Sequence, residues 1–182
     1  MSEPHRPAPA KLFVSIFAPE ESLIDKALER LESVLGPHDL KGPLLPFNQT
    51  DYYEPEFGSN LVRRFISFER LIEQEAIVPI KHLAWKIEKE MSHEGKRRVN
   101  IDPGYILLER LVLVTFKNFS HRLYLGQGVY GEVTLIFRKG RFEALPWTYP
   151  DYASPEAHEV FMKMRARYKE GLKAWRARDA LR

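Results

Sequence analysis

The sequence lacks cysteine altogether, and this absence excludes three kinds of site. A disulfide framework, a thiolate zinc site and a cysteine nucleophile all require the missing side chain. Any metal would have to be held by histidines and carboxylates, which are the ligand types that remain. At 182 residues, 44% of them hydrophobic, the chain has the length of one domain and can bury one sizeable core.

Long apolar runs are also missing. Runs such as Leu111 to Phe116 are far too short to cross a bilayer, because a spanning helix needs about 20 apolar residues. The opening residues MSEPHRPAPA contain three prolines and no apolar run, which is unlike a signal peptide. We predict a disordered tail over residues 1–10 and a soluble, cytoplasmic protein.

No strong excess of charge of either sign occurs over the whole chain, whose formal net charge is +3. The basic residues gather near the end, where residues 154–182 hold eight lysines and arginines against four acids. A helix with this excess could bind an anionic partner such as RNA or an acidic protein. The alternative is an ordinary solvated helix face.

Complete catalytic signatures are absent as well. Gly126 to Gly131 spells G-x-G-x-x-G, but a strand pattern follows it, whereas a dinucleotide-binding fingerprint must open a helix. A protein kinase places such a loop between strands, yet no V-A-I-K, H-R-D or D-F-G motif accompanies it here. One interpretation is a hairpin whose backbone N–H groups at Gly126 and Gly128 approach a phosphate. The other is a hairpin that needs glycine for its backbone geometry alone.

Hydrophobic periodicity predicts a mixture of strands and helices. Leu12–Ala18 is apolar on both faces, which is typical of a central strand. Elsewhere, period-two alternation indicates strands and stripes at helical spacing indicate helices. In chain order we predict a strand over 12–18, a helix over 23–35, a weak edge strand over 40–47, a strand over 61–68, a helix over 77–91, a short strand over 99–101, a β-meander over 121–145 and a final helix from Ser154.

The segment from residue 102 to residue 116 is the most ambiguous. Asp102-Pro103-Gly104 predicts a turn, since proline presets φ and glycine accepts a positive φ. Residues 105–116 suit either a buried helix or a β-branched strand, and a short helix is favoured. The predicted elements together give a βαββαβ order, a ferredoxin-like core extended by the meander and closed by a helix. We therefore predict a single α+β domain over residues 11–182 with a mostly antiparallel sheet.

The glycine hairpin is flanked by residues that could form a site. Lys117, His121 and Arg122 precede it, and Tyr130 and Glu132 share one face of its second strand. Glu132 is an ionic residue in an apolar strand, so it must face water or a partner. His121 and Glu132 could act as an acid–base pair, with Arg122 and Lys117 holding an anion. The alternative is a structural pair between Glu132 and Arg122.

Two aspartates in predicted loops are further candidates. Asp51 lies near Tyr53 in a polar loop, and Asp102 lies in the predicted turn. Together with Glu132 they could hold Mg²⁺ or Mn²⁺, which prefer oxygen ligands. Ordinary turn chemistry at both aspartates is the alternative.

Aromatic residues crowd the connection before the last helix. Trp147 and Tyr149 lie there, within the run PWTYPDY. Aromatic side chains in such a loop either seal the edge of the core or offer a stacking surface for a ring.

Five segments of the sequence resemble those of a known family. They read TDYYEPEFG, RRFISFERLI, NIDPGY, SHRLYLGQGVYGEVTL and LPWTYPDY. In combination they are similar to a bacterial family described as a domain of unknown function, and the resemblance runs from Lys11 to about Tyr168. Some members carry the label GTP-binding protein, but this sequence has neither a P-loop nor an Asn-Lys-x-Asp motif. The resemblance therefore implies a family and leaves the function open.

We expect a site for a phosphorylated small molecule or nucleotide, with Mg²⁺ or Mn²⁺ as the metal if one is used. The expected catalytic residues are Asp102, His121 and Glu132, and the expected metal ligands are Asp51, Asp102 and Glu132. The expected ligand-binding residues are Asp51, Tyr53, Arg63, Lys117, Arg122, Gly126, Gly128, Tyr130, Trp147 and Tyr149. The rival hypothesis is a non-catalytic module that binds RNA or an acidic protein through its last helix. A third is an interaction protein with no small-molecule ligand.

Overall fold

The structure, a computed structural model, describes residues 3–48 and 53–179. Within these residues the strands form one antiparallel sheet of nine strands. The strands are β1 (Ala10–Ala18), β2 (His38–Lys41), β3 (Leu45–Phe47), β4 (Leu61–Ile72), β5 (Asn100–Ile106), β6 (Arg110–Thr115), β7 (Leu123–Gly126), β8 (Val129–Arg138) and β9 (Arg141–Ala144). The helices are α1 (Glu21–Leu35), α2 (Glu54–Phe57), α3 (Ile77–Glu90) and α4 (Pro155–Asp179), and a 3₁₀ turn covers Gln74–Ala76.

The first half of the sheet has the strand order β2-β4-β1-β5, with α1 and α3 as the connecting helices. This is the order of a ferredoxin-like unit, so the predicted α+β core is confirmed. All nine residues of β1 are buried, as expected for a strand that is paired on both sides and covered on both faces. β1 begins at Ala10, two residues earlier than the sequence pattern predicted, and the Pro9 carbonyl accepts a hydrogen bond of 2.9 Å from the Tyr168 hydroxyl.

The prolines of residues 40–47 lie at the edge of the sheet, as predicted. β2 and β3 are two short strands that both pair with β4. Pro46 pairs with Val62 in β3, where a missing N–H is tolerated because no further strand needs it.

The helix predicted over 105–116 is wrong, and so is the turn at Asp102-Pro103-Gly104. These residues belong to β5 and β6, which form a hairpin with Tyr105 opposite Val112. Gly104 lies in the middle of β5, where an added Cβ would be 2.4 Å from the carbonyl oxygen of Val112. Glycine therefore serves a close approach of two strands here. The ladders of β1 and β8 flank the hairpin, and sequence periodicity cannot detect such partners.

The second half of the sheet continues through β6, β8 and β7. The three strands predicted over 121–145 are present, joined by the predicted hairpins. β7 pairs with the first part of β8 and β9 with its last part. Both lie on the same edge of β8, because β6 occupies the opposite edge along its length.

Helices cover both faces of the sheet. The apolar stripe of α1, predicted from the sequence, packs together with α3 against one face of β1. α4 packs on the other face, where Phe161 meets Phe13 edge-to-face with ring centroids 5.7 Å apart. No helix in the described ranges is long and apolar enough to span a bilayer.

Candidate functional site

A cavity of about 530 Å³ lies at one end of the sheet. The strand register brings its polar residues to that end: Arg63 of β4 and Asn100 of β5 both pair with Phe17, near the end of β1. Glu132 of β8 pairs with Leu113 of β6. The lining residues are Phe47, Tyr53, Arg63, Lys81, Trp85, Glu88, Arg97, Asn100, Asp102, Leu113, Val114, Thr115, Phe116, Lys117, Arg122, Glu132, Tyr149, Pro150, Asp151 and Tyr152.

A chain of hydrogen bonds runs along one wall, from α2 through β5 to α3. Arg97 makes a bidentate ion pair with Glu56, with Nε–Oε1 and Nη2–Oε2 distances of 2.8 and 2.7 Å. Its Nη1 donates to the Asn100 side-chain oxygen, and Asn100 donates to Asp102, at 2.8 and 2.7 Å. Lys81 of α3 reaches the other oxygen of Asp102 at 3.3 Å. Asp102 is therefore held at the cavity between an amide and an ammonium group.

Glu88 is the carboxylate of this wall whose pKa differs most from its ordinary value. It lies on α3 and is only 5% exposed. One oxygen accepts a 2.6 Å hydrogen bond from the backbone N–H of Ile101, and the other is 3.8 Å from Nη1 of Arg97. Burial raises the pKa of Glu88 to about 7, against the opposing influence of Lys81 and the Ile101 N–H. The cavity thus contains a carboxyl group that can gain or lose a proton near neutral pH.

Glu132 anchors the opposite wall. Its Oε2 accepts hydrogen bonds from Arg122 Nε at 2.7 Å and, in the tautomer that donates, from His121 Nε2 at 2.9 Å. Arg122 also donates to the Lys117 carbonyl and to the Tyr149 hydroxyl, at 2.9 and 3.0 Å. The structural pair of Glu132 and Arg122, one of the two sequence interpretations, is therefore present. Through Arg122, this pair also holds Tyr149 and the segment around Lys117 in the wall.

Arg63 forms the floor of the cavity among aromatic rings. Its guanidinium group lies 3.9 Å from the centre of the Phe47 ring and 5.6 Å from that of Tyr152. It forms an ion pair with Asp151, and burial lowers its pKa from the ordinary value. The Nε of Arg63 is buried and has no hydrogen-bond partner in the described part of the chain.

Several predicted site residues do not line the cavity. Gly126 and Gly128 form the β7–β8 turn with φ values of 115° and 78°, and Gln127 between them has φ 50°. Glycine serves backbone geometry there, the second sequence interpretation. Tyr130 packs on Tyr124, with ring centroids 5.4 Å apart.

His121 and Trp147 lie behind the cavity wall. Their rings stack at a centroid distance of 5.0 Å, and the Trp147 indole donates to the Val133 carbonyl at 2.8 Å. One face of the Trp147 ring is therefore covered by His121, and its indole N–H already has a hydrogen-bond acceptor. His121 touches Glu132 without lining the cavity itself.

The expected metal site has no support within the described residues. Among residues 3–48 and 53–179 no group of three or more histidines and carboxylates is arranged to hold a metal ion. Asp102 and Glu132 both line the cavity, but each is bound to basic partners. Asp51, the third expected ligand, lies outside the residues that the structure describes.

The sequence prediction missed five charged or amide side chains of the cavity. They are Lys81, Glu88, Arg97, Asn100 and Asp151. A signal existed for two of them: Lys81 and Glu88 follow Ile77 and Ala84 by four residues, which places both charges on the apolar stripe of the helix. A charge on a buried stripe must be paired or face a cavity. The other three lie in loops or at a strand end, where no periodicity marks them.

The chain matches one family over most of its length. The family model with the description "Domain of unknown function (DUF4416)" matches residues 8–168. The chain therefore belongs to this family, as the resemblance of its motifs predicted. No curated protein and no solved structure matches the chain.

Proposed function

We propose that this member of the DUF4416 family binds a small phosphorylated molecule in the cavity at the end of its sheet. The observation that carries the proposal is the concentration of cationic side chains in the wall. They are Arg63, Lys81, Arg97, Lys117 and Arg122. The cavity volume of about 530 Å³ lies within the range of small-molecule sites, roughly 300 to 1,000 Å³. Charges in a partly closed wall also act on a ligand more strongly than charges on an open surface.

Arg63 and Lys81 have the most capacity left for an anion. The buried Nε of Arg63 lacks a hydrogen-bond partner among the described residues, and such a donor costs about 1–3 kcal/mol unless something accepts from it. Lys81 makes two long hydrogen bonds, 3.2 Å to a backbone carbonyl and 3.3 Å to Asp102, and an ammonium group has three N–H donors. Arg97 and Arg122 are engaged by carboxylates at 2.7 Å. The Nη1 of Arg63 is likewise engaged by Asp151, so the donor of Arg63 that supports the proposal is its Nε. These contacts support Arg63 and Lys81 as the residues that meet the phosphate.

The carboxylates of the wall limit the charge of the ligand. Glu88, Asp102, Glu132 and Asp151 line the cavity, and Glu56, outside the lining, pairs with Arg97. These five carboxylates offset the five cations, and a wall without a large positive excess suits one phosphate group better than a chain of several. Because the pKa of Glu88 is about 7, a proton on Glu88 would give the wall a positive excess when an anion binds.

The outer face of α4 supports a second candidate function. Arg167, Lys169, Lys173 and Arg176 lie there with their side chains at least partly open to solvent, and the opposite side of the helix is buried against the sheet. A basic face of this kind could bind RNA or an acidic protein. Such binding would weaken steeply as salt rises, whereas pairs inside a cavity are screened less.

Thermal unfolding with matched ligands tests the first function. The pairs are ribose with ribose 5-phosphate and glucose with glucose 6-phosphate, each with and without Mg²⁺ or Mn²⁺. A compound at 100 times its Kd adds about 2.7 kcal/mol, which raises the Tm of a domain of this size by roughly 5 to 10 °C. We expect such a rise with a phosphorylated compound and none with its unphosphorylated partner. Equal shifts within each pair, or a shift with RNA alone that fades in salt, would contradict the proposal.

A further inference from the structure

Three aromatic side chains in the cavity wall are open to solvent, Trp85, Phe116 and Tyr149, and the first two are in contact. Trp85 of α3 is 46% exposed, and Phe116, which directly follows β6, is 37% exposed. Both line the cavity. Their ring centroids are 6.4 Å apart and their planes meet at 79°, so the two rings form a corner. A single exposed aromatic residue is ordinary, but two in contact at a cavity present a continuous apolar surface.

The corner lies beside the cation that we assign to the phosphate. The Lys81 ammonium is 5.5 Å from the centre of the Phe116 ring. Trp85 follows Lys81 by four residues on α3, and residues at this spacing are neighbours on one face of a helix. An anion held by Lys81 would therefore place whatever is attached to it against Trp85 and Phe116.

The aromatic residues expected from the sequence are less suited to this task. Trp147 lies outside the cavity wall and stacks on His121. Tyr149 lines the cavity, but its hydroxyl accepts a hydrogen bond from Arg122, which fixes it in the opposite wall. Trp85 and Phe116 also have neighbours, since the Lys89 ammonium lies 4.7 Å from the centre of the Trp85 ring and His82 meets Phe116 edge-to-face at 5.1 Å. Both rings nevertheless keep exposed surface beside Lys81.

We propose that Trp85 and Phe116 hold a planar ring of the ligand, so that the ligand is a phosphorylated compound with an aromatic ring, as in a nucleoside monophosphate. Stacking of a base on an aromatic side chain contributes about 1–3 kcal/mol and tolerates any base. The single phosphate follows from the near balance of charge in the wall, which does not favour a chain of several phosphates. This inference rests on the proposed function, because the phosphate at Lys81 is its starting point.

Calorimetric titration of two classes of probe tests the inference. Ribose 5-phosphate carries the phosphate and sugar alone, and the four nucleoside 5′-monophosphates add a base. In the unaltered protein at least one monophosphate should bind about tenfold or more tightly than ribose 5-phosphate. Trp85→Leu should remove most of this difference, because it should weaken monophosphate binding much more than ribose 5-phosphate binding. Phe116→Leu provides a second variant of the same surface.

Phe119→Leu is the matched control, because Phe119 is 64% exposed and does not line the cavity. It should leave both affinities unchanged. Equal affinities for the two classes of probe would overturn the ring inference and leave the proposed function standing. A preference for monophosphates that survives Trp85→Leu and Phe116→Leu would place the ring elsewhere and overturn the inference. If neither class binds, the inference fails, and if glucose 6-phosphate also gives no thermal shift, the proposed function fails with it.

Discussion

At the scale of single residues, the cavity is distinguished by charges that the fold keeps out of bulk water. Lys81, Glu88 and Arg63 are all buried, and each lines the cavity. Burial of an ionic group is costly unless it is paired. Here the pairing is incomplete, since Glu88 is 3.8 Å from the Arg97 guanidinium and the Nε of Arg63 has no partner among the described residues. These incompletely paired charges support the proposed ligand site.

Replacing Glu88 with glutamine should alter how stability depends on pH. The pKa of Glu88 is raised from 4.5 to about 7 in the folded protein, so the folded state holds this proton more tightly than the unfolded state. The resulting stability is fully present below about pH 4.5 and is lost as pH rises through about 7. A glutamine side chain would mimic the protonated form at every pH. At pH 5 the two proteins should therefore differ by less than about 1 kcal/mol, and at pH 8 Glu88→Gln should be the more stable by up to roughly 3 kcal/mol.

Urea unfolding of both proteins at pH 5, 6, 7 and 8 measures this difference. Groups other than Glu88 titrate in both proteins, so only the difference between the two curves reports on Glu88. Parallel curves over this range would show that Glu88 titrates near its ordinary value and that burial in the cavity wall does not raise its pKa.

The sequence predicts Asp102 and Arg122 as site residues, but the structure gives them other positions and partners than the sequence suggests. Asp102 was expected in a loop and lies instead within β5, where Asn100 and Lys81 hold it at the cavity. Arg122 was expected to hold an anion, but it is engaged by Glu132 and Tyr149. A charged residue type shows that its side chain needs a partner. The partners here lie on other helices and strands, so the spacing of residues along the sequence does not identify them.

At the scale of secondary-structure elements, hydrophobic periodicity in the sequence is sufficient to predict a helix or strand whose buried residues recur at a regular spacing. The central strand β1 and the stripe of α1 were predicted because each pattern repeats over many residues. The β5–β6 hairpin was mistaken for a helix because its apolar run is buried on both faces and carries no alternation. Neighbouring strands decide such a segment, and they come from residues far away in the chain.

Gly104 is the position at which this hairpin should be most sensitive. A Cβ there would be 2.4 Å from the Val112 carbonyl and 2.7 Å from the Phe13 ring, so Gly104→Ala must push two paired strands apart. Overpacking of this kind costs about 1–3 kcal/mol or more. Gly171→Ala is the control, since its Cβ would meet Leu71 at 3.4 Å, an ordinary contact, and alanine favours a helix by about 1 kcal/mol.

Thermal unfolding of the two variants measures the effect. Gly104→Ala should lower the Tm by several degrees, and Gly171→Ala should leave it unchanged or raise it. If Gly104→Ala were as stable as the unaltered protein, β5 and β6 would not approach as closely as the structure shows.

At the scale of the whole molecule, the sheet brings distant segments to one end. The cavity draws on β4, α3, β5, β6, β8 and the connection before α4, so its walls come from most of the chain. The ferredoxin-like order of the first half was predictable from the sequence of elements. The convergence of Arg63, Lys81 and Glu132 was not, because it depends on register across the sheet and on the placement of α3.

Variants in two separate parts of the molecule distinguish ligand binding in the cavity from binding on the basic face of α4. Lys81 belongs to the cavity, whereas Lys169 and Lys173 are exposed on α4. Lys81→Met removes one charge and keeps most of the side-chain volume, and the amide of Asn100 still donates to Asp102. Lys169→Glu with Lys173→Glu reverses the charge of the helix face and leaves the cavity intact.

The most direct measurement is a calorimetric titration of ribose 5-phosphate into the unaltered protein and these two variants. Loss of a charged hydrogen bond costs about 1.5–3 kcal/mol, so Lys81→Met should weaken binding by about tenfold or more. The α4 variant should bind as the unaltered protein does, and the unliganded Tm of each variant shows that it is folded. An affinity that Lys81→Met leaves unchanged, or that falls only when α4 is altered, would contradict binding in the cavity.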